Sequence, residues 1–156
     1  MLDSVNQNAI PIINYNDSIS NDETRKMELF NLRQHQEKVI ECIDNDETAS
    51  EIAALVKSKY LLILTSSIGL LENPQDNNSL IKEVSGQNIY ELLENISELK
   101  KCCVGASRDG ANGIKAKLEY ISEPIKNGTT VIIGHSKYRI KDLISGNVER
   151  TIFKVR

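Results

Sequence analysis

The chain has 156 residues, a formal net charge of −3 and a pI near 5.5. These values fit one compact domain and exclude the strongly basic surface of general nucleic-acid binders. Hydrophobic residues make up 40% and charged residues 26% of the sequence, the balance of a soluble globular protein rather than of a disordered chain. We therefore expect a protein that folds around its own core and binds neither nucleic acid nor a membrane.

The cysteines and the N-terminal sequence indicate a cytoplasmic protein. Cys42, Cys102 and Cys103 are odd in number and two are adjacent, which suits neither a disulfide framework nor a zinc site. Residues 1–14 lack the basic region and apolar run of a signal peptide. The longest apolar stretch, around residues 60–64, is far shorter than the ~20 residues that span a bilayer.

In chain order, the first predicted element is a buried strand over residues 9–13, since this run is short, apolar and β-branched. A loop rich in Asn and Asp is predicted at residues 14–17. Residues 23–37 are charged and predict a solvent-exposed segment outside the core. Residues 39–43 predict a second strand. An acidic turn then leads into a helix over residues 49–58, because apolar side chains recur there at helical spacing.

Residues 60–65 are almost continuously apolar, which predicts a central parallel strand covered on both faces. A loop rich in Gly, Ser, Asp and Asn follows at residues 102–113. Pro124 predicts a kink or an early end in the last long helix, and Gly128 its stop. The other predicted elements are strands at 80–84, 129–133 and 151–155, and helices at 89–99, 114–126 and 140–145.

Strands that alternate with helices predict an α/β layered fold with a mostly parallel sheet. Ligands in such sheets bind at the carboxyl ends of the strands. Three polar turns are predicted at such ends, at residues 14–17, 44–46 and 65–67. We therefore expect these turns to contribute to one binding site.

Four segments carry a family resemblance: residues 11–17 (PIINYND), 44–46 (DND), 62–70 (LILTSSIGL) and 110–118 (GANGIKAKL). In this order they resemble the motifs of the amino-acid kinase family, and most closely those of its glutamate 5-kinases. The resemblance covers nearly the whole chain. It implies a carbamate kinase-like, three-layer αβα sandwich, with residues 1–156 forming a partial kinase domain. This part corresponds to the C-terminal, nucleotide-binding half, without the N-terminal half that carries a phosphate-binding lysine.

The resemblance also implies roles for individual residues. Lys117 would stabilise the transferring phosphate, Asp17 would organise the catalytic lysines, and Asn16 would bind the amino-acid substrate. Asp44 and Asn45 would lie on the substrate side, although capping of the next helix explains them equally well. The residues implied in ATP binding are Thr65, Ser66, Ala111, Asn112, Gly113, Ile114, Lys115, Ala116 and Lys117.

The implied reaction is the ATP-dependent phosphorylation of the L-glutamate side-chain carboxylate to L-glutamyl 5-phosphate, the first step of proline biosynthesis. Lys117, near the start of a helix that follows a Gly-containing loop, fits phosphate binding, whereas a surface lysine is the simpler alternative. Mg²⁺ is expected with the nucleotide, held mainly by phosphate oxygens and water. His35 and His135 have no companion ligand spacing, so no protein metal site is predicted.

Departures from the family pattern leave alternatives open. Ser66 stands where the family has aspartate, Leu71 where it has tyrosine, and Tyr15 where it has glutamate. A related phosphotransferase that acts on aspartate, carbamate or a nucleoside monophosphate is one alternative. A non-catalytic binding or oligomerisation module is another. Because the N-terminal half is expected to be missing, we also expect either a homo-oligomer or a complementing N-terminal chain, with little activity in isolation.

Overall fold

The computed structural model describes residues 6–13, 45–73, 75–102 and 114–156. The chain divides into two compact units at Thr48 and Ala49. Residues 9–13 of the first unit belong to no helix or strand, and Ile10 and Ile12 are each 91% exposed. The prediction of a buried strand there is wrong, because a β-branched run becomes a strand only where a neighbouring strand pairs with it. The predicted strand at 39–43 lies outside the described residues.

Five helices and four strands make up the rest of the described chain. The helices are α1 (Asn45–Leu55), α2 (Ile89–Cys102), α3 (Ile114–Tyr120), α4 (Ser122–Lys126) and α5 (Ile140–Ser145). The strands are β1 (Tyr60–Thr65), β2 (Glu83–Gly86), β3 (Thr130–His135) and β4 (Arg150–Val155), and a 3-10 turn spans Asn77–Ser79. The bounds predicted for β1 and α5 are confirmed, and the other elements shift by a few residues. Helix α2 continues to Cys102, three residues beyond the prediction.

The four strands form one mostly parallel sheet in the order β1-β3-β4-β2. Strands β1 and β3 are parallel, β2 and β4 are parallel, and the central pair β3 and β4 is antiparallel. Within the described sheet β1 is an edge strand, so the prediction of a central position is wrong there. Its burial alternates, with Leu61 and Ile63 buried and Leu64 47% exposed, because the helices of the core cover one face of this strand.

Helices lie on both faces of the sheet, which confirms the three-layer architecture. On one face, Leu61, Val131, Ile133 and Phe153 form a buried cluster with apolar side chains of α1 to α4. Gly134 faces the opposite side, since successive residues of a strand point to opposite faces. A Cβ atom at Gly134 would lie 2.5 Å from the Leu143 side chain of α5. Helix α5 therefore packs directly on the second face of β3.

The last long helical segment breaks three residues before Pro124, which confirms the prediction of a kink or early end. Helix α3 ends at Tyr120 and α4 begins at Ser122. Proline has no N–H to donate to the carbonyl four residues earlier. That carbonyl belongs to Tyr120, and it accepts the Ser50 hydroxyl of α1 instead. Gly128 then ends α4 with a φ of 84°, as expected of a glycine that stops a helix.

Candidate functional site

The candidate site lies at the sheet edge where β1 and β3 end. Thr65, the last residue of β1, pairs in register with His135, the last residue of β3. The N–H of Ser136 donates to the Thr65 carbonyl over 2.9 Å, so the two strand ends are fixed side by side. Ligands of parallel sheets bind at such carboxyl ends, as the sequence predicted for the turn at residues 65–67.

The turn after β1 is closed by its own hydroxyl groups. Thr65 Oγ1 lies 3.0 Å from the Ser67 N–H nitrogen and 3.0 Å from the Ser67 carbonyl oxygen. Ser67 Oγ donates to the Gly69 carbonyl over 2.8 Å. The side chain of Ser66 is exposed. Two residues of this turn were assigned to ATP binding from the sequence. Ser66 is exposed to solvent, whereas the Thr65 hydroxyl is used to close the turn.

Helix α3 carries both lysines that the sequence analysis assigned to ATP binding, Lys115 and Lys117. Helix α2 starts just after β2 and its 14 residues extend about 21 Å, which brings the chain back along the sheet. Helix α4 ends at Lys126, and β3 starts at Thr130, so α3 and α4 lead the chain to the start of β3. Lys115 is exposed and Lys117 half-buried. An ion pair of 2.9 Å between Lys100 and Glu119 joins α2 to α3.

Several predicted site residues cannot be placed in this way. Asn16, Asp17, Asp44, Ala111, Asn112 and Gly113 lie outside the described residues, and so does the side chain of Ala116. Asn45 is the exposed first residue of α1, which agrees with its interpretation at a helix start. Ile114 is the first residue of α3 and packs against the buried cluster. Its side chain therefore serves the core.

The structure brings a segment to this edge that the sequence analysis missed. Residues 135–139 begin at the last residue of β3 and carry a histidine, a serine, a lysine, a tyrosine and an arginine. His135 Nδ1 accepts the Lys137 N–H over 3.1 Å, and Tyr138 packs edge-on to His135 with ring centroids 6.1 Å apart. The signal was present in the sequence, because this polar cluster also follows directly after a predicted strand.

A cavity of about 600 Å³ opens beside this segment, with Tyr138, Asn147 and Arg150 among its lining residues. The guanidinium of Arg150 donates to the carbonyls of Leu143 and Ile144 at the end of α5, the latter over 2.9 Å. Burial lowers the pKa of Arg150, but an arginine stays charged at neutral pH. Arg150 thus places a cation at the negative end of the α5 dipole.

Two properties of the described residues bear on other classes of function. No group of three or more His, Cys, Asp or Glu side chains in the described ranges could hold a metal ion. Among the helices that the structure describes, none is long and apolar enough to cross a membrane.

Comparison with known proteins gives the family. The Amino acid kinase family matches residues 1–135. A glutamate 5-kinase of Bacillus cereus is 29% identical over 152 residues, which cover 94% of this chain and 35% of the relative. A glutamate 5-kinase of Streptococcus suis is 31% identical over 133 residues, covering 84% of this chain and 31% of the relative. The chain thus spans about a third of the length of these relatives.

Two further matches widen the comparison within the same family. The chloroplastic acetylglutamate kinase of Arabidopsis thaliana is 34% identical over 79 residues, or 47% of this chain and 22% of the relative. Carbamate kinase from Giardia lamblia bound to AMP-PNP superimposes with a TM-score of 0.54 and 25% identity. The superposition covers 74% of this chain and 34% of that protein. Because the family match covers residues 1–135 and the fold agrees with it, the chain belongs to the amino acid kinase family.

Proposed function

We propose that this chain is the nucleotide-binding part of a kinase that uses ATP to phosphorylate the side-chain carboxylate of L-glutamate. Membership of the family supports a phosphotransferase. Similarity to glutamate 5-kinases along 94% of the chain supports glutamate as the acceptor, and the product would be L-glutamyl 5-phosphate, the first intermediate of proline biosynthesis. The observation that carries the proposal is the match of the family to residues 1–135, which include both the Thr65 turn and Lys117.

The hydrogen-bond donors of the turn after β1 and of α3 suit a nucleotide. Phosphoryl transfer needs positioning of two anions and positive charge near the transferred group, with little covalent chemistry from the protein. Lys115 and Lys117 supply two cations on the first turns of α3, and Ser66 supplies an exposed hydroxyl. Mg²⁺, held mainly by phosphate oxygens and water, would neutralise phosphate charge. A relative of the same fold is known with AMP-PNP bound.

The proposal is tested by calorimetry of Mg-ATP binding to the full chain and to Lys117→Ala. We expect micromolar binding that weakens at least about tenfold in the variant, a loss of about 1.4 kcal/mol, because a cation next to phosphate is removed. The matched control is Lys126→Ala. This lysine ends α4, pairs with Glu123 over 3.0 Å and is 55% exposed, and its removal should leave the affinity unchanged.

Thermal unfolding of both variants separates lost binding from lost folding. If the folded chain binds no Mg-ATP, the nucleotide assignment fails and a non-catalytic binding or oligomerisation module replaces it. If Lys117→Ala and Lys126→Ala bind equally well, Lys117 is a surface lysine and the assignment of its role is wrong.

The acceptor is tested separately, by ADP release in the presence of candidate acids. The similarity to Arabidopsis acetylglutamate kinase favours a second candidate, a kinase of the same fold that phosphorylates an N-acylated amino acid. We expect ADP release with L-glutamate to exceed that with N-acetyl-L-glutamate or L-aspartate. The assay includes the N-terminal half of a related glutamate 5-kinase as a separate chain. The proposed reaction needs the phosphate-binding lysine that the resemblance assigns to that half. A reversed preference would establish the second candidate.

A further inference from the structure

His135 lies at the end of β3, beside the turn after β1 that is proposed to bind the nucleotide. Neither the family motifs nor the spacing of the histidines in the sequence identified it as a functional residue. It is the last residue of β3 and pairs in register with Thr65. The next residue, Ser136, donates its N–H to the Thr65 carbonyl. Because registered partners in a parallel pair project to the same face of the sheet, the imidazole lies beside the turn that the proposed function assigns to the nucleotide.

The imidazole is fixed in orientation by its neighbours. Its Nδ1 accepts the Lys137 N–H over 3.1 Å, and the His135 carbonyl accepts the Tyr138 N–H over 3.0 Å. The Tyr138 ring packs against the imidazole at an interplanar angle of 67°. A neutral imidazole whose Nδ1 accepts a hydrogen bond carries its proton on Nε2. The ring is therefore held with Nε2 as a donor.

That donor is available to a ligand. Within the described ranges of the chain, no protein group forms a hydrogen bond with His135 Nε2. The His135 side chain is half-buried. The Thr65 hydroxyl, by contrast, closes its own turn. A donor that is pre-oriented by the fold loses little conformational freedom on binding, and this makes its contribution to affinity larger.

We infer that His135 is a nucleotide-binding residue that donates a hydrogen bond from Nε2 to an oxygen of the bound nucleotide. This inference rests on the proposed function and adds a contact that the family motifs do not supply. The chemistry shared by the possible acceptors is an oxygen lone pair, on a ribose hydroxyl or on a phosphate. Separate titrations with adenosine and with inorganic tripolyphosphate distinguish these two sources.

The direct test is NMR of the imidazole resonances in the full chain. The sequence has two histidines, His35 and His135, so the variant His135→Asn assigns both sets of signals. We expect the unliganded protein to show His135 protonated on Nε2. On titration with Mg-ATP, the His135 signals should shift saturably with the Kd that calorimetry gives. A shift with tripolyphosphate but not with adenosine identifies a phosphate acceptor, and the reverse pattern identifies the ribose.

Affinity measurements supply the second arm. In His135→Asn the side-chain oxygen still accepts the Lys137 N–H, but the shorter side chain no longer reaches the Nε2 position. We expect about tenfold weaker Mg-ATP binding, as for the loss of one hydrogen bond to a ligand oxygen, with little change in the melting temperature. Tyr138→Phe is the matched control, because it keeps the ring contact and should bind as tightly as the unaltered chain.

The outcomes separate this inference from the proposed function. If Mg-ATP binds in a Lys117-dependent manner while the His135 signals stay unmoved, or while His135→Asn binds as tightly as the unaltered chain, the inference is overturned and the proposed function stands. The histidine would then only cap its own turn. If the folded chain binds no Mg-ATP at all, the proposed function fails and the inference fails with it.

Discussion

At the scale of single residues, Thr151 joins the loop after β1 to the sheet. Its side chain is fully buried. The hydroxyl accepts the Leu70 N–H over 2.7 Å and donates to the Ile81 carbonyl over 2.6 Å. A Cβ atom at Gly69 would lie 2.7 Å from this hydroxyl and 2.9 Å from the Thr151 nitrogen, so only glycine lets the loop approach so closely. This side chain therefore anchors the loop that follows the proposed nucleotide turn to β4.

We expect Thr151→Val to lower the free energy of unfolding by about 2 kcal/mol or more, because it leaves a buried N–H and a buried carbonyl without partners. Urea denaturation measures the change. The control is Thr129→Val. The Thr129 side chain is buried, and its hydroxyl donates one hydrogen bond, to the Ser58 carbonyl over 2.8 Å. We expect this variant to lose about half as much stability. Equal losses in the two variants would show that the paired bonds of Thr151 hold the loop no better than a single bond.

At the scale of elements, strand β2 is short and depends on charge pairing with β4. Glu83 lies 3.0 Å from the Lys154 ammonium and 3.7 Å from the Arg156 guanidinium. A hydrogen bond from Lys154, with a second from Ser85, holds the pKa of Glu83 below its ordinary value of 4.5. A carboxyl whose pKa is lowered by folding stabilises the folded state above its unfolded pKa, and this stabilisation is lost as the pH falls through the folded value.

We therefore expect Glu83→Gln to reduce the loss of stability between pH 5 and pH 3. Urea denaturation of the variant and of the unaltered chain across this range measures the difference. The effect should be modest and should shrink in high salt, because these charges are partly exposed and screened. Glu94→Gln removes an exposed carboxylate from α2 and should keep the pH dependence of the unaltered chain. If both variants follow the same pH profile, the Glu83 pair does not stabilise β2.

Also at this scale, local sequence patterns predicted the positions of helices and strands better than they predicted which residues are buried. The apolar run of β1 and the Gly128 stop after α4 depend on neighbouring residues alone, and both were found where expected. The run at residues 9–13 has the same local pattern, yet Ile10 and Ile12 are exposed. Burial depends on what else packs against a segment, and this information is not local. The same reason explains why Leu64 is exposed in a strand that was expected to be covered on both faces.

The candidate site was predictable only in part, because sequence motifs are local whereas the pairing of strands is not. Thr65, Ser66 and Lys117 were assigned from motif order, and the described structure places the Thr65 turn at the end of β1, beside the end of β3. His135 was missed because its importance comes from register: Thr65 and His135 are 70 positions apart in the chain and become neighbours only when β1 pairs with β3. Strand order cannot be read from a single sequence, whereas strand ends can.

At the scale of the whole molecule, one buried cluster joins nearly every described element of the second unit. Phe153 of β4 is fully buried within it, together with Leu92 and Ile96 of α2 and Leu118 of α3. In the first unit, by contrast, Ile10, Ile12 and Ile13 are exposed. The stability of the second unit should therefore depend on this cluster, whereas substitutions at the exposed residues 10, 12 and 13 should cost little.

We expect Phe153→Ala to lower the free energy of unfolding by about 3–5 kcal/mol, the usual cost of the lost burial and the cavity left behind. Small domains have a total stability of about 5–15 kcal/mol, so the variant should melt far below the unaltered chain or fail to fold. Phe153→Leu, which leaves a smaller cavity, should lose less and remain measurable by urea denaturation. Ile12→Ala should cost under about 0.5 kcal/mol, as surface substitutions do. A loss at Ile12 as large as that at Phe153 would mean that residues 9–13 are buried in solution, and the strand predicted there from sequence would then be restored.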